Sequence, residues 1–290
     1  MKNPTRASFR ETRFKRFFPR ICSATLITAT IFLGGCAAPG LSSDRIAEII
    51  SSPDRSAADR TIDMRRKPAQ FLAFTGVGPG MVVLDLSAGA GYTTELLARA
   101  VGPGGKVYGQ SAPPRAANAA PTAVPEGGMA SRPASAAAAP RRIPSPEALA
   151  QRARNPAASN IIAVVQKFET PIPAGVGPNT LDLVTLVYNY HDLGHQGVDR
   201  AQMNKALFNA MKPGGAYVIV DHHGMPGTGI SQAATLHRVE AAFLRREVES
   251  AGFNFVAESD LYRNPADPRD KNTPDQGQAK DGFLLKFRKP

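Results

Sequence analysis

From position 81 onward the chain alternates short apolar runs with helical patterns, and this rhythm restricts the possible folds more than any other feature. Met81-Val82-Val83-Leu84-Asp85 reads as a buried strand, residues 93–101 as a helix halted by Gly102-Pro103, and Lys106-Val107-Tyr108-Gly109 as a second strand. Residues 161–165 and 181–188 are further apolar strands, and Val218-Ile219-Val220 follows a helical stretch over 200–211. Strands separated by helices need crossover connections, which lay helices over both faces of a parallel sheet. The end breaks the rhythm. A single helix is predicted over 233–250, then strands over 253–257 and 283–287 with no helical pattern between them, so the final pair is predicted to be antiparallel. The expected fold class is α/β, a doubly wound and mostly parallel sheet with a closing antiparallel pair.

Three helices are predicted ahead of this core. One spans 43–50 with Ile46, Ile49 and Ile50 on one face. A second starts at Ser56-Ala57-Ala58-Asp59, which has capping-box spacing. A third runs over 69–74, with Pro68 in its first turn and Gly76 after its end. Residues 111–144 are dominated by Ala, Pro, Ser and Gly and hold too little apolar surface to offset their ordering entropy. They are expected to form a disordered insertion, which the fold tolerates because loop-closure entropy grows slowly with length. Order is expected to return at Ser145-Pro146-Glu147. Residues 263–281 are polar, contain proline and are expected to be a mobile loop.

The net charge of +11 suggests nucleic acid or membrane until it is mapped. Seven basic residues (Lys2, Arg6, Arg10, Arg13, Lys15, Arg16 and Arg20) lie in the first 35 positions against the single acid Glu11, so about half the excess belongs to that segment. No interleaving of basic and aromatic residues elsewhere supports a nucleic-acid surface, and none is assigned. The basic stretch leads into an apolar run over 21–33, shorter than the ~20 residues a membrane span needs and right for a signal-peptide core. It ends in Leu33-Gly34-Gly35-Cys36, which resembles the bacterial lipobox, so Cys36 is the expected lipidation site. Ala37, not Asp, follows it, which by the same resemblance implies the outer membrane facing the periplasm. The expected organisation is a signal peptide over 1–35, a tether and leading helix over 36–55, and a domain over 56–290, touching membrane through its lipid anchor only. Cys22 and Cys36 are the only cysteines, so the exported part cannot carry a disulfide framework.

The segment Asp85-Leu86-Ser87-Ala88-Gly89-Ala90-Gly91 follows the first strand and opens a helix. Small residues there let the backbone touch a ligand lying across the strand ends. A dinucleotide fingerprint counted from Gly89 would need glycine at Thr94 and fails. Steps of two, Asp85, Ser87, Gly89, Gly91, instead resemble the acid-x-Gly-x-Gly-x-Gly loop of class I S-adenosylmethionine-dependent methyltransferases, which have a Rossmann-like fold. Lys212-Pro213-Gly214-Gly215 before a strand, Asp182 opening another, and the closing antiparallel pair match the same family. The resemblance covers residues 56–290 apart from the insertion. It extends to a group of secreted bacterial proteins termed predicted methyltransferases through Tyr190-His191-Asp192, Asp221-His222, Leu236-His237-Arg238 and Lys286-Phe287-Arg288-Lys289-Pro290.

The resemblance implies S-adenosylmethionine as methyl donor, held by Asp85, Ser87, Gly89, Gly91 and Gln110. Two of these depart from the family. Ser87 replaces the first glycine, and the turn keeps its course provided the backbone there needs no positive φ. Gln110 stands where the second strand ends in a carboxylate that binds the ribose, and offers one acceptor oxygen and an amide donor instead.

All five histidines fall between 191 and 237, four of them just after two strands whose ends open onto one cleft. His191, Asp192 and His222 are the expected catalytic residues, an imidazole near pKa 6.5 being able to take a proton from a hydroxyl or amine acceptor. Tyr188-Asn189-Tyr190-His191 is not the Asn/Asp-Pro-Pro-aromatic motif used on amide or base nitrogens, which favours a small-molecule acceptor. A metal site from His191, His195, Asp221, His222 and His223 is a weaker alternative, and no metal is assigned. A second alternative keeps the fold without catalysis, as an envelope lipoprotein binding another ligand or partner.

Overall fold

The computed structural model describes residues 40–114, 143–272 and 278–290. The signal segment, Cys36, and residues 115–142 of the expected 111–144 insertion lie outside the described residues. Among those described, no helix is long and apolar enough to cross a membrane.

Helix α1 (Ser43–Ser51) begins where Ser42 Oγ accepts the Arg45 N–H, and buries Ile46 and Ile49. Helix α2 (Ala57–Arg66) begins where Ser56 Oγ accepts the Asp59 N–H at 3.0 Å. Helix α3 (Pro68–Thr75) has proline at its first position and ends on Gly76 in the left-handed region. The rhythm of strands and helices then unfolds as β1 (Val82–Leu86), α4 (Tyr92–Val101), β2 (Lys106–Ser111), α5 (Ser145–Arg152), β3 (Ile161–Val165) and β4 (Leu181–Val187). It continues through α6 (Tyr190–His195), α7 (Arg200–Ala210), β5 (Met211–His222), α8 (Ala233–Leu236), α9 (Ala241–Ser250), β6 (Asn254–Ser259) and β7 (Gly282–Arg288).

The seven strands form one sheet in the order β3-β2-β1-β4-β5-β7-β6. Strands β1 to β5 pair in parallel, and β7 runs antiparallel between β5 and β6. Successive residues alternate between two apolar cores, as a strand period of two requires. Leu84, Leu86, Val184, Leu186 and Ile219 face one core, and Val83, Leu183, Val218 and Val220 the other. Both faces are therefore covered, which explains the near-continuous apolar runs. Strand order reverses between β1 and β4, and the crevice of such a sheet opens at that switch point.

Three local features differ from the sequence-based expectation. Residues 233–250 do not form one helix: α8 ends at His237, whose φ is +51°, and α9 starts four residues later. The break swings Arg238 into the interior, where its guanidinium pairs with Asp267 at 2.9 Å and donates to the carbonyls of His223 and Lys271. Val239 then bridges in parallel to His223. Second, the described parts of the 263–281 loop are tied down, since Asp267 and Asp281 are buried and Asp281 pairs with Arg269 and Arg263. Third, the short helix α6, which the sequence pattern does not predict, follows β4.

Candidate active site

A cavity of about 400 Å³ opens at the tips of β1 and β4, within the ~300–1,000 Å³ range of small-molecule sites. Its floor is the turn Asp85–Ala90. Ser87 takes φ +55° and Gly89 +56°, so the position where the resemblance substitutes serine for glycine does need left-handed backbone. That conformation costs a side-chain-bearing residue roughly 1–2 kcal/mol. The strained turn is held from behind by Gln110, whose Oε1 accepts the Ser87 N–H at 3.0 Å and whose backbone carbonyl accepts the Ala88 N–H at 2.8 Å. Its Nε2 donates to the Gln166 carbonyl at 2.6 Å.

Gln110 is thus fully buried with both ends of its amide engaged, and it is absent from the cavity wall. This corrects the expected ribose-binding role. Strand β2 runs on to Ser111, and Ser111 lines the cavity. The sequence pattern predicts a strand end at residue 109, two residues short of the observed one.

Gly91 has a different task from the glycine two residues before it. Its φ is +81°, and a Cβ there would lie 2.7 Å from Leu149 Cδ2 and 2.8 Å from Arg152 Cδ. The glycine lets α5 lie directly on the turn, where Ser145 Oγ and Arg152 Nε donate to the Gly89 and Ala90 carbonyls. Arg152 also pairs with Asp59 of α2 and Glu95 of α4, so three helices lock onto one guanidinium.

Two opposite charges face the cavity. Asp85 accepts hydroxyl hydrogen bonds from Thr94 at 2.6 Å and Thr185 at 2.7 Å. Burial raises its pKa to about 6, partly offset by those two hydroxyls and by Arg66. The Arg66 guanidinium lies 4.1 Å over the Tyr188 ring, a cation–π contact. Its Nη1 is shielded from solvent and has no hydrogen-bond partner, and burial lowers its pKa. Sequence reading missed Arg66. Its position at the end of a helix gave no sign that sheet assembly would bring it to the first strand's tip.

The expected catalytic residues sit behind the cavity wall. His191 and Asp192, at the start of α6, are fully buried, and neither lines the cavity. His191 Nδ1 lies 2.5 Å from Asp221 Oδ1, and its backbone N–H donates to Asp221 Oδ2 at 2.9 Å. Burial works against the imidazolium, but the carboxylates of Asp221 and Asp192 outweigh it and raise the His191 pKa to about 10. It is therefore protonated near neutrality and cannot serve as the expected base. The His222 ring lies 4.6 Å from Tyr188 and 6.1 Å from His191, and it too is absent from the cavity wall. His223 is elsewhere, with Nε2 2.8 Å from Arg263. His237, separated by 45 residues from Asp192, joins the group instead, with Nδ1 3.1 Å from Asp192 Oδ1. What reaches the cavity from this cluster is Asn189, held by its Nδ2 on Asp192 Oδ2 at 3.2 Å, with its own Oδ1 buried and unpartnered.

Sheet order and crevice define a Rossmann-like α/β fold of the kind found in class I methyltransferases. Among solved structures the chain is similar to a SAM-dependent methyltransferase from Aquifex aeolicus, at 16% identity and TM-score 0.51 over 86% of this chain and 100% of that one. It is also similar to a Galdieria sulphuraria protein provisionally described as a sarcosine dimethylglycine methyltransferase, at 15% identity and TM-score 0.51 over 85% and 98%. At such identities the likeness establishes the architecture. No family model and no curated protein sequence matches the chain.

Proposed function

We propose that this chain is an S-adenosylmethionine-dependent methyltransferase acting on a small acceptor, exported and held to the cell envelope by a lipid on Cys36. The observation that carries the reading is that Asp85 and Arg66, whose Nη1 has no hydrogen-bond partner, line the same cavity as a small-residue turn. A zwitterion with an ammonium and a carboxylate on one carbon satisfies both at once. The methionyl end of the donor is such a group, and it fits these residues. Bound there, the donor supplies an activated methyl on a sulfonium, and in-line transfer asks the protein mainly for alignment.

In this reading Arg66 holds the carboxylate, Asp85 the ammonium, and Ser111 takes the rim position assigned earlier to Gln110. Asn189 Oδ1 accepts a hydrogen bond from a proton-bearing acceptor. His191 and Asp192 act through Asn189 as positioning residues. The envelope location, the absence of a nucleic-acid role and a membrane contact limited to the lipid anchor belong to the same proposal. So does the likeness to secreted relatives.

Calorimetry tests it directly. Micromolar binding of S-adenosylmethionine and S-adenosylhomocysteine is expected, and Arg66→Gln should weaken both about ten- to a hundredfold, the worth of a charge-assisted hydrogen bond. No binding up to millimolar concentration would favour the alternative, a lipoprotein using this fold for another ligand.

The pH dependence has a definite sign. The folded pKa of Asp85, about 6, lies above its ordinary 3.8, so its contribution to folding is full below ~3.8 and is lost as pH rises through 6. An ammonium ligand favours the ionised form. Donor affinity should therefore climb between pH 5 and 7, by at most about tenfold per pH unit, and then level off. Asp85→Asn should flatten the profile, and a persistent slope in that variant would assign the titration elsewhere. Membrane fractionation tests the anchor: Cys36→Ser should release the protein into the soluble fraction, and unchanged retention would refute lipidation at that cysteine.

A further inference from the structure

The histidine–carboxylate cluster behind the cavity has a geometry that methyl transfer does not explain. His191 is fully buried, yet its Nε2 makes no hydrogen bond although Asp192 Oδ1 is 3.3 Å away. The same oxygen lies 3.1 Å from His237 Nδ1. Two imidazole nitrogens and one carboxylate oxygen thus converge, all within 4.8 Å of one another. Ligand atoms bound to one transition-metal ion at about 2.1 Å are about 3.0–3.4 Å apart for octahedral to tetrahedral angles. Both close distances fall in that interval.

The surroundings are those of an oriented ligand set. His191 Nδ1 is committed to Asp221, the carboxylate–histidine arrangement that fixes ring orientation in metal sites. Asp192 uses its other oxygen on Asn189, leaving Oδ1 for the cluster. His237 reaches the site only because the chain breaks between α8 and α9 in a left-handed conformation. The two carboxylates create a negative potential in the interior that a dication would neutralise.

We propose that His191 Nε2, Asp192 Oδ1 and His237 Nδ1 bind one divalent transition-metal ion, with Asp221 orienting His191. Mixed imidazole and carboxylate ligation selects zinc, iron(II), manganese or cobalt over magnesium or calcium, which take oxygen ligands. On binding, the protons on His191 Nε2 and His237 Nδ1 leave, the first to solvent and the second to solvent or to Nε2 of its own ring. Both nitrogen lone pairs take the ion, and no electron changes hands. The ion would join α6, the α8–α9 break and the tip of β5, and through Asn189 it would stiffen the acceptor side of the cavity. This site differs from the one the histidine distribution suggests, since His237 replaces His195, His222 and His223.

The inference stands apart from the methyl-donor reading, because metal binding is read with no donor present. Full-length protein purified without chelator should carry close to one equivalent of a transition metal by elemental analysis. After stripping, it should bind Zn²⁺ or Co²⁺ at one site, with the visible Co²⁺ spectrum of imidazole coordination. Asp221→Asn should weaken binding about ten- to a hundredfold, and losing a ligand in His237→Ala or Asp192→Asn should weaken it further. His195→Ala should bind as the parent does. His237→Cys keeps a ligand and should restore binding with a thiolate band in the Co²⁺ spectrum, which separates ligand loss from misfolding. Absence of stoichiometric metal in both the purified and the titrated parent would overturn the proposal, as would His237→Ala binding as tightly as the parent.

Discussion

Arg238→Met should lower the stability of the fold by about 3–5 kcal/mol, the usual cost of removing one partner from a buried ion pair. Arg238 and Asp267 are both fully shielded, and the guanidinium also serves the carbonyls of His223 and Lys271. Methionine fills similar volume but takes away the guanidinium donors to those carbonyls. Asp267 would keep the backbone N–H groups of Arg269 and Asp281, so its carboxylate is stranded only in part. Arg238→Lys should recover little, since one ammonium cannot span acceptors arranged for a planar fork. Urea unfolding followed by circular dichroism measures this. A loss under about 1 kcal/mol would mean that the 263–281 loop is not anchored through this residue.

Gly91→Ala should be the second most damaging change, at about 2–5 kcal/mol. Left-handed backbone contributes roughly 1–2 kcal/mol and overpacking roughly 1–3 kcal/mol. The new methyl would meet Leu149, which is fully buried, and Arg152, which Asp59 and Glu95 hold in place, so neither neighbour yields cheaply. Gly89→Ala is the informative contrast. Its Cβ would meet only the Ser87 carbonyl, at 3.9 Å, so the stability loss should stay near the backbone term. Its methyl would instead stand in the cavity, and donor affinity should fall more than stability. Parallel unfolding and calorimetry on the two variants distinguish a glycine kept for packing from one kept for a ligand. Equal profiles for both would contradict that division.

The candidate site was partly legible beforehand. Asp85, Ser87 and Gly89 line the crevice, and a small-residue turn after a buried strand is a local pattern that points there. Gln110 lies one residue short of the cavity wall because strand ends are weakly marked: the strand runs past 109 to Ser111, and a shift of one residue turns a side chain to the other face of the sheet. His191 and Asp192 were drawn to the right corner but given a role that burial and the neighbouring carboxylates deny them.

By itself the sequence determined the order of the strands, all the helices but α6 and the α8–α9 break, the parallel core, the antiparallel close, and the helix ends at Ser56, Pro68 and Gly76. These follow from periodicity and backbone preference within a few residues. The tertiary structure alone decided which distant side chains share a space. Arg66 of α2 lines the same cavity as Asp85 because that helix packs at the tip of β1, and His237 meets Asp192 because the chain breaks between α8 and α9. No local pattern encodes such meetings, since their energies depend on burial and on partners supplied by other elements.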